Sequence, residues 1–247
     1  MVAASFVAVG NTNTLEQGSA LAALREHLAE LQLPQIAHRR RAIILFEGAE
    51  GSGKKFALKQ LAAAFDPCHF AVHSINFDRR QGSEGHWLAR FWRSLPSASH
   101  TSIFYRSWYL RVLDDRILGR TEADMVARSF DEINEFEAQQ RDYGTLIVKL
   151  FFNVSADIQE ARLAARAASP WSRGTLREEA ISTNDSAYLH AIQALKANSD
   201  TRWSPWIMID GDDEEAAAVA ALSAIADAWA EAMPASPPHL VTASMRA

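Results

Sequence analysis

The chain has 247 residues, 48% of them hydrophobic and 22% charged, with a formal net charge of −5. That length buries one good core near the upper end for a single α/β domain, and the acidic balance argues against a generic nucleic-acid or membrane-surface binder. Cys68 is the one cysteine, so no intramolecular disulfide can form; with no basic-then-apolar leader and no apolar run near eighteen residues, the expected compartment is the cytoplasm.

In chain order, residues 1–13 read as irregular. Residues 15–33 carry Leu21, Leu24, Leu28 and Leu31 at helical spacing, an amphipathic helix. Pro34 and His38-Arg39-Arg40-Arg41 separate it from a buried strand at Ile43, Ile44, Leu45 and Phe46. A glycine-punctuated turn opens a helix through Phe65, and Asp66-Pro67 stops it. Phe70–Phe77 alternates as a second strand, followed by a polar turn over 78–85 and a helix over His86–Leu95. Thr101–Phe104 is a third strand and Glu122–Gln140 a long helix.

Thr145–Phe152, rich in β-branched and aromatic residues, is the strongest strand signal. Lys149 inside it fits a strand end near the ligand or a snorkelling lysine about equally. Ser155 is expected to cap a helix to Ala168, with Arg162 and Arg166 four apart on one face. A loop at 170–174, a helix over Ser182–Asn198, a strand over Pro205–Asp210 and a helix over Asp213–Ala232 complete the pattern, before a loose tail from Pro234. Strands alternating with helices predict one doubly wound parallel sheet with its ligand at the carboxyl ends of the strands. Trp87, Trp92, Trp108, Trp203 and Trp206 read as packing residues, and His69, His73 and His86 share no metal-ligand spacing.

The organising stretch is Leu45-Phe-Glu-Gly-Ala-Glu-Gly-Ser-Gly-Lys-Lys55. Gly48, Gly53 and Lys54 fit a phosphate-binding loop: glycine, four residues, glycine-lysine. Glycines let the N–H groups of Ala49, Gly51, Ser52 and Gly53 close around phosphate oxygens, and the helix N-terminus adds positive potential. Lys54 supplies a cation for the charge that moves in phosphoryl transfer. Lys55 stands where a Ser or Thr commonly ligates Mg²⁺. From Arg39 to Arg120 there are fourteen Lys or Arg against seven acids, a basic region within an acidic chain that hints at a polyanionic ligand, with solvated surface arginines as the plain alternative.

Five stretches carry a resemblance. They are the loop from Leu45 to Lys54, Phe91-Trp-Arg-Ser-Leu-Pro96, Arg106-Ser-Trp-Tyr-Leu-Arg111, Leu146-Ile-Val-Lys149 with Phe152–Ser155, and Trp203-Ser-Pro-Trp206. In this order, over roughly residues 20–230, the chain resembles the polyphosphate kinase 2 family, P-loop kinases that move phosphoryl groups between inorganic polyphosphate and nucleotides. The resemblance implies a three-layer P-loop kinase fold: a central parallel sheet of about five strands, flanking helices and a helical lid near 166–182, in one domain over 1–232.

It further implies that Lys54 contacts the phosphates and that Arg106 and Arg111 hold the transferring group and the polyphosphate chain, a task suited to a forked guanidinium. Mg²⁺, nucleoside mono- or diphosphate acceptors and a dimeric or tetrameric assembly are implied likewise. Two carboxylates hold the metal in that family. Glu50 stands at the first position, where the family has Asp, and Tyr105 replaces the second. Relatives also lack a hydroxyl at the position of Lys55. Of the family's lid and its tryptophan-aspartate-aspartate-tyrosine stretch, Pro170 and Tyr188 are retained. Tyr105 cannot ligate Mg²⁺ as a neutral phenol, so three readings stay open: an active phosphotransferase, a relative that binds polyphosphate or nucleotide or partners an active paralogue, and another P-loop kinase for a small metabolite. Asp114 or Asp115 stands one turn on as a substitute carboxylate.

Overall fold

The computed structural model describes residues 14–75, 86–173 and 181–238. Residues 1–13, the turn expected at 78–85, the middle of the lid at 174–180 and the end of the tail at 239–247 lie outside them. Five strands form one parallel sheet: β1 (Arg41–Gly48), β2 (Phe70–Ser74), β3 (Thr101–Tyr105), β4 (Thr145–Asn153) and β5 (Trp206–Asp210), in the order β2-β3-β1-β4-β5. The helices are α1 (Thr14–Ala37), α2 (Lys54–Ala62), α3 (Ala89–Trp92), α4 (Asp114–Ile117), α5 (Ala123–Asp142), α6 (Ala156–Ala168), α7 (Pro170–Arg173), α8 (Ser186–Ser199) and α9 (Glu214–Ala232), with short 3-10 turns at Pro67–His69 and Trp108–Arg111.

β1 is buried on both faces, which explains its unbroken apolar run. Ala42, Ile44 and Phe46 point into a layer with Leu21 and Leu28 of α1, Leu61 of α2 and Leu222 and Trp229 of α9. Ile43 and Leu45 point the other way, to Trp108, to Phe130, Ile133 and Phe136 of α5, and to Leu195 of α8. Two apolar layers around one sheet make the three-layer fold that the pattern predicts.

Several boundaries differ from the sequence reading. α1 runs through Pro34 to Ala37 despite the missing amide donor, with Gln35, buried directly after the proline, bonded to Thr101 Oγ1 and Trp229 Nε1. β2 covers Phe70–Ser74, with residues 76–77 of the expected strand outside the described residues, and the helix expected at 86–95 shrinks to the single turn α3. The loop expected at 170–174 begins as the short helix α7, and α8 starts at Ser186 because the Asp185 side chain accepts from Ala187 N. Ser155 occupies the N-cap of α6, but its side chain makes no capping bond. Of the expected loose tail, Ser236 presents its carbonyl to His38 Nε2 at 2.7 Å.

Lys149 is the clearest correction. It lies mid-strand, beside Leu45 and Trp206, and fully buried. Its Nζ donates to Glu137 Oε2 at 3.1 Å and to the Ser199 carbonyl at 2.7 Å, so it neither snorkels nor reaches the phosphate end. Among the tryptophans, Trp108 and Trp206 are buried, while Trp92 is 47% exposed and packs edge-on against Phe136.

Candidate active site

β1 ends in the glycine loop, at the carboxyl edge of the sheet. Gly48 has φ +128°, and any Cβ there would collide with the Phe152 carbonyl of β4, so glycine is required by both backbone and space. Gly51 and Gly53 have φ +83°, the left-handed turns that fold the chain back into the start of α2. Lys54 is 1% exposed. Its Nζ donates to the carbonyls of Gly48 (2.9 Å) and Ala49 (2.7 Å), with Ser52 Oγ at 3.4 Å. Burial, reinforced by the Arg106 charge, pulls Lys54 down to about 7 against the pull of Glu50, Glu47 and Asp114. A lysine held near neutrality gains charge when an anion arrives.

Arg106 follows β3. It takes a left-handed backbone (φ 64°), with its amide bonded to the Phe46 carbonyl at 3.0 Å, and this turn sends its guanidinium back over the loop. One nitrogen, Nη2, donates to Glu50 Oε2 at 2.9 Å; the other, Nη1, reaches Asp114 Oδ2 at 3.4 Å. Arg166 of α6 donates to the other Glu50 oxygen. Burial pushes the Glu50 carboxyl up, but the Arg166 hydrogen bond and the charges of Arg106 and Lys54 outweigh it and hold it below the ordinary range. Asp114, at the start of α4, is raised, chiefly by burial, with the charges of Arg106 and Lys54 opposing.

Glu47 is an acid inside the buried run of β1. Its Oε1 accepts from both Ser107 N (2.7 Å) and Ser107 Oγ (2.6 Å), which anchors the turn that carries Arg106. Burial pushes it up to about 7. Sequence reasoning passed over Glu47, although a carboxylate directly before a phosphate loop, in a strand buried on both faces, is the signal that would have found it.

Tyr105 is kept neutral, its hydroxyl pushed up by burial and by the Glu50 charge. Its ring stands 5.2 Å from Lys54 Nζ, so it gives the lysine an aromatic wall in place of a carboxylate. Arg111 donates from Nε to Ser129 Oγ of α5 at 2.9 Å and lies over Trp87 at 5.0 Å. The structure therefore places it on the α5 side of the site, whereas Lys54, Glu50 and Arg106 are brought together. Lys55 is exposed on α2. Among the described residues, no group of three or more His, Cys, Asp or Glu is arranged to hold a metal ion by itself.

A buried lysine in a glycine cradle, with two arginines gathered on one loop carboxylate, is built for phosphate. The family model for polyphosphate kinase 2 matches residues 12–237. The chain belongs to the polyphosphate kinase 2 family. It is 31% identical over 210 residues to a polyphosphate:AMP phosphotransferase of Pseudomonas aeruginosa, covering 84% of this chain and 42% of that one. It is 34% identical over 188 residues to the enzyme of the same name from Acinetobacter johnsonii, covering 75% and 39%. The chain thus spans about two fifths of the length of these two relatives. The crystal structure of polyphosphate kinase 2 from Arthrobacter aurescens TC1 superposes with a TM-score of 0.82 at 25% identity, over 93% of this chain and 87% of that one, and it shares the P-loop kinase fold.

Proposed function

We propose that this chain transfers a phosphoryl group between inorganic polyphosphate and a nucleotide, with a nucleoside mono- or diphosphate on the acceptor side. The observation that carries the reading is the convergence of buried Lys54 and Arg106 and partly exposed Arg166 on one glycine loop. A nucleotide's terminal phosphate oxygen is already ionised at neutral pH, so the acceptor needs no strong general base, and positioning with charge neutralisation supplies the catalysis. Lys54 takes up a proton as the polyanion enters. Arg106 and Arg166 exchange the Glu50 carboxylate for phosphate oxygens and hold them in forked geometry. The Tyr105 ring and the buried walls of the loop exclude water around Lys54 and strengthen each of these contacts.

Lys54, Arg106 and Arg166 face Glu47, Glu50 and Asp114 here, and Arg162 adds one further cation at the Gly51 carbonyl, so a phosphate chain of several charges still calls for more positive charge. Hard carboxylate oxygens beside phosphates are the donors Mg²⁺ takes, commonly one or two with the substrate completing its shell. Glu50 and Asp114, on the two nitrogens of one guanidinium, fit that requirement and would hold the ion. Mg²⁺, when bound, would neutralise charge on the phosphates. The reading of a binding-only relative rested on the loss of a carboxylate at Tyr105; Asp114 beside Arg106 weakens its basis.

The test is direct. Purified protein is incubated with Mg²⁺, polyphosphate and, in turn, AMP, ADP and GDP, and nucleoside di- and triphosphates are separated and quantified. Product well above a Lys54→Ala control is expected with at least one acceptor. Absence of product above that control with all three removes the proposal.

A further inference from the structure

Four consecutive loop carbonyls, from Gly48 to Gly51, each meet a side-chain donor. Lys54 takes those of Gly48 and Ala49. The other two are held from outside the loop, by a single face of α6. Gln159 Nε2 donates to the Glu50 carbonyl at 3.0 Å, and Arg162 Nη1 donates to the Gly51 carbonyl at 2.9 Å. One turn further, Arg166 holds the Glu50 carboxylate. Positions 159, 162 and 166 share one side of a helix, so α6 lies along the loop as a row of donors. The loop packs on α6 at Gly51: a Cβ there would sit 3.5 Å from Gln159 Cγ and from the Gln159 carbonyl oxygen.

In a trans peptide the carbonyl of one residue and the amide of the next point in opposite directions. Holding the Glu50 carbonyl against α6 therefore turns the Gly51 amide away from α6 and into the loop; the Ser52 amide, turned the same way by the held Gly51 carbonyl, closes the loop by donating to the Ala49 carbonyl at 3.3 Å. We infer that Gln159, with Arg162, is a positioning residue that sets the loop's amides for the phosphate chain in advance. The inference rests on the polyphosphate reading above.

Gln159 is 3% exposed and has no spare capacity. Its Nε2 also donates to the Ile181 carbonyl at 2.9 Å, and its Oε1 accepts from Thr183 N at 2.9 Å and from Thr183 Oγ1 at 3.3 Å. A plain structural role would act through this second tie, to residues 181–183, so the test must separate the two. Gln159→Met fills the same space and removes both ties. Thr183→Pro removes the amide and hydroxyl that reach Oε1, yet leaves Nε2 free to hold the Glu50 carbonyl.

Polyphosphate of defined length is titrated calorimetrically into the wild type and both variants, well below their melting temperatures, and melting is recorded alongside. Gln159→Met is expected to weaken polyphosphate binding about tenfold, the effect of about one buried hydrogen bond, while Thr183→Pro lowers the melting temperature and keeps wild-type affinity. Wild-type affinity in Gln159→Met, or an equal loss of affinity in both variants, overturns the inference. If Thr183→Pro does not fold, the affinity of Gln159→Met decides alone. A wild type that does not bind polyphosphate overturns the proposed function itself, and this inference with it.

Discussion

Two lysines in this fold are almost equally hidden, Lys54 at 1% and Lys149 at 0% exposure, yet they are hidden for opposite purposes. Lys149 sits mid-sheet among the rings of Tyr109, Trp203 and Trp206, 5.3 to 5.9 Å from its Nζ, and is paired with the equally buried Glu137. Glu137 is in turn fixed by Trp108 Nε1 at 2.9 Å, so both charges are satisfied within the protein. Lys54 has carbonyl and hydroxyl partners at the edge of the sheet, with no carboxylate among its hydrogen-bond acceptors in the described residues. The first arrangement is complete; the second leaves Lys54 without a directly bonded counter-ion, with Glu50, Glu47 and Asp114 acting on it only through space. Burial alone does not mark a functional lysine; what decides is whether a counter-ion is bonded to it.

The largest effect should come from unbalancing the complete pair. Lys149→Met leaves Glu137 buried without its cation, which costs on the order of 3–5 kcal/mol and should appear as a large fall in the denaturation midpoint. The double variant Lys149→Met with Glu137→Leu should recover much of it. If the single variant is as stable as the wild type, the pair is not what holds this layer. Lys54→Met should do the reverse: stability stays close to wild type while turnover falls about 10²–10³-fold, read as initial rates on equal amounts of folded protein. Similar stability losses in both variants would erase the distinction.

The fold was legible because its evidence is local and periodic. The β1 run, the loop glycines and the alanine-rich α9 each declare themselves within a dozen residues, and Gly48, Glu50, Lys54 and Arg106 stand out in the sequence as residues of the candidate site. What could not be read depends on distant pairing. Nothing near Lys149 tells that Glu137, twelve positions back on α5, will meet it. Nothing in the string around Gln159 tells that its helix will lie on Gly51. Asp114 was a candidate on spacing alone; only the left-handed turn at Arg106 brings one guanidinium to it and to Glu50. Tyr105 read as a lost ligand, and its ring instead faces Lys54.

The next predictions probe the incomplete side. Asp114→Asn should raise the Mg²⁺ concentration needed for half-maximal turnover about tenfold, with a matching loss in calorimetric Mg²⁺ binding in the presence of nucleotide; an unchanged requirement assigns the metal to other groups. Lys54 should also link binding to protons. Its folded-state value is lowered from 10.5 to about 7, so above neutrality the empty site holds mostly neutral lysine and must take up a proton as polyphosphate binds. Affinity should therefore fall by up to tenfold per pH unit between about 7 and 9, where proton uptake dominates. Calorimetry in buffers of different ionisation enthalpy should detect that proton, and Lys54→Met should lose it. Binding that is flat with pH and buffer in the wild type would mean Lys54 is charged before the anion arrives.

The last prediction concerns Glu47, which resembles neither lysine fully: buried, bonded to Ser107, but given no cation among its hydrogen-bond partners in the described residues. Its proton affinity is raised in the fold, from 4.5 to about 7. The sign follows from linkage. Below pH 4.5 the carboxyl is neutral in both folded and unfolded chains and costs nothing; between 4.5 and 7 the unfolded chain ionises first and stability falls; above 7 the loss is constant. Glu47→Gln keeps an oxygen for both Ser107 donors and removes the titration. The variant should therefore match the wild type near pH 4.5 and gain relative stability as pH rises to 7, by at most about 3 kcal/mol at about 1.4 kcal/mol for each factor of ten in proton affinity. Denaturant midpoints measured from pH 4.5 to 8 check it. A difference that is constant across that range would mean Glu47 is ionised throughout, with its charge compensated within the site in the way that Glu137 compensates Lys149.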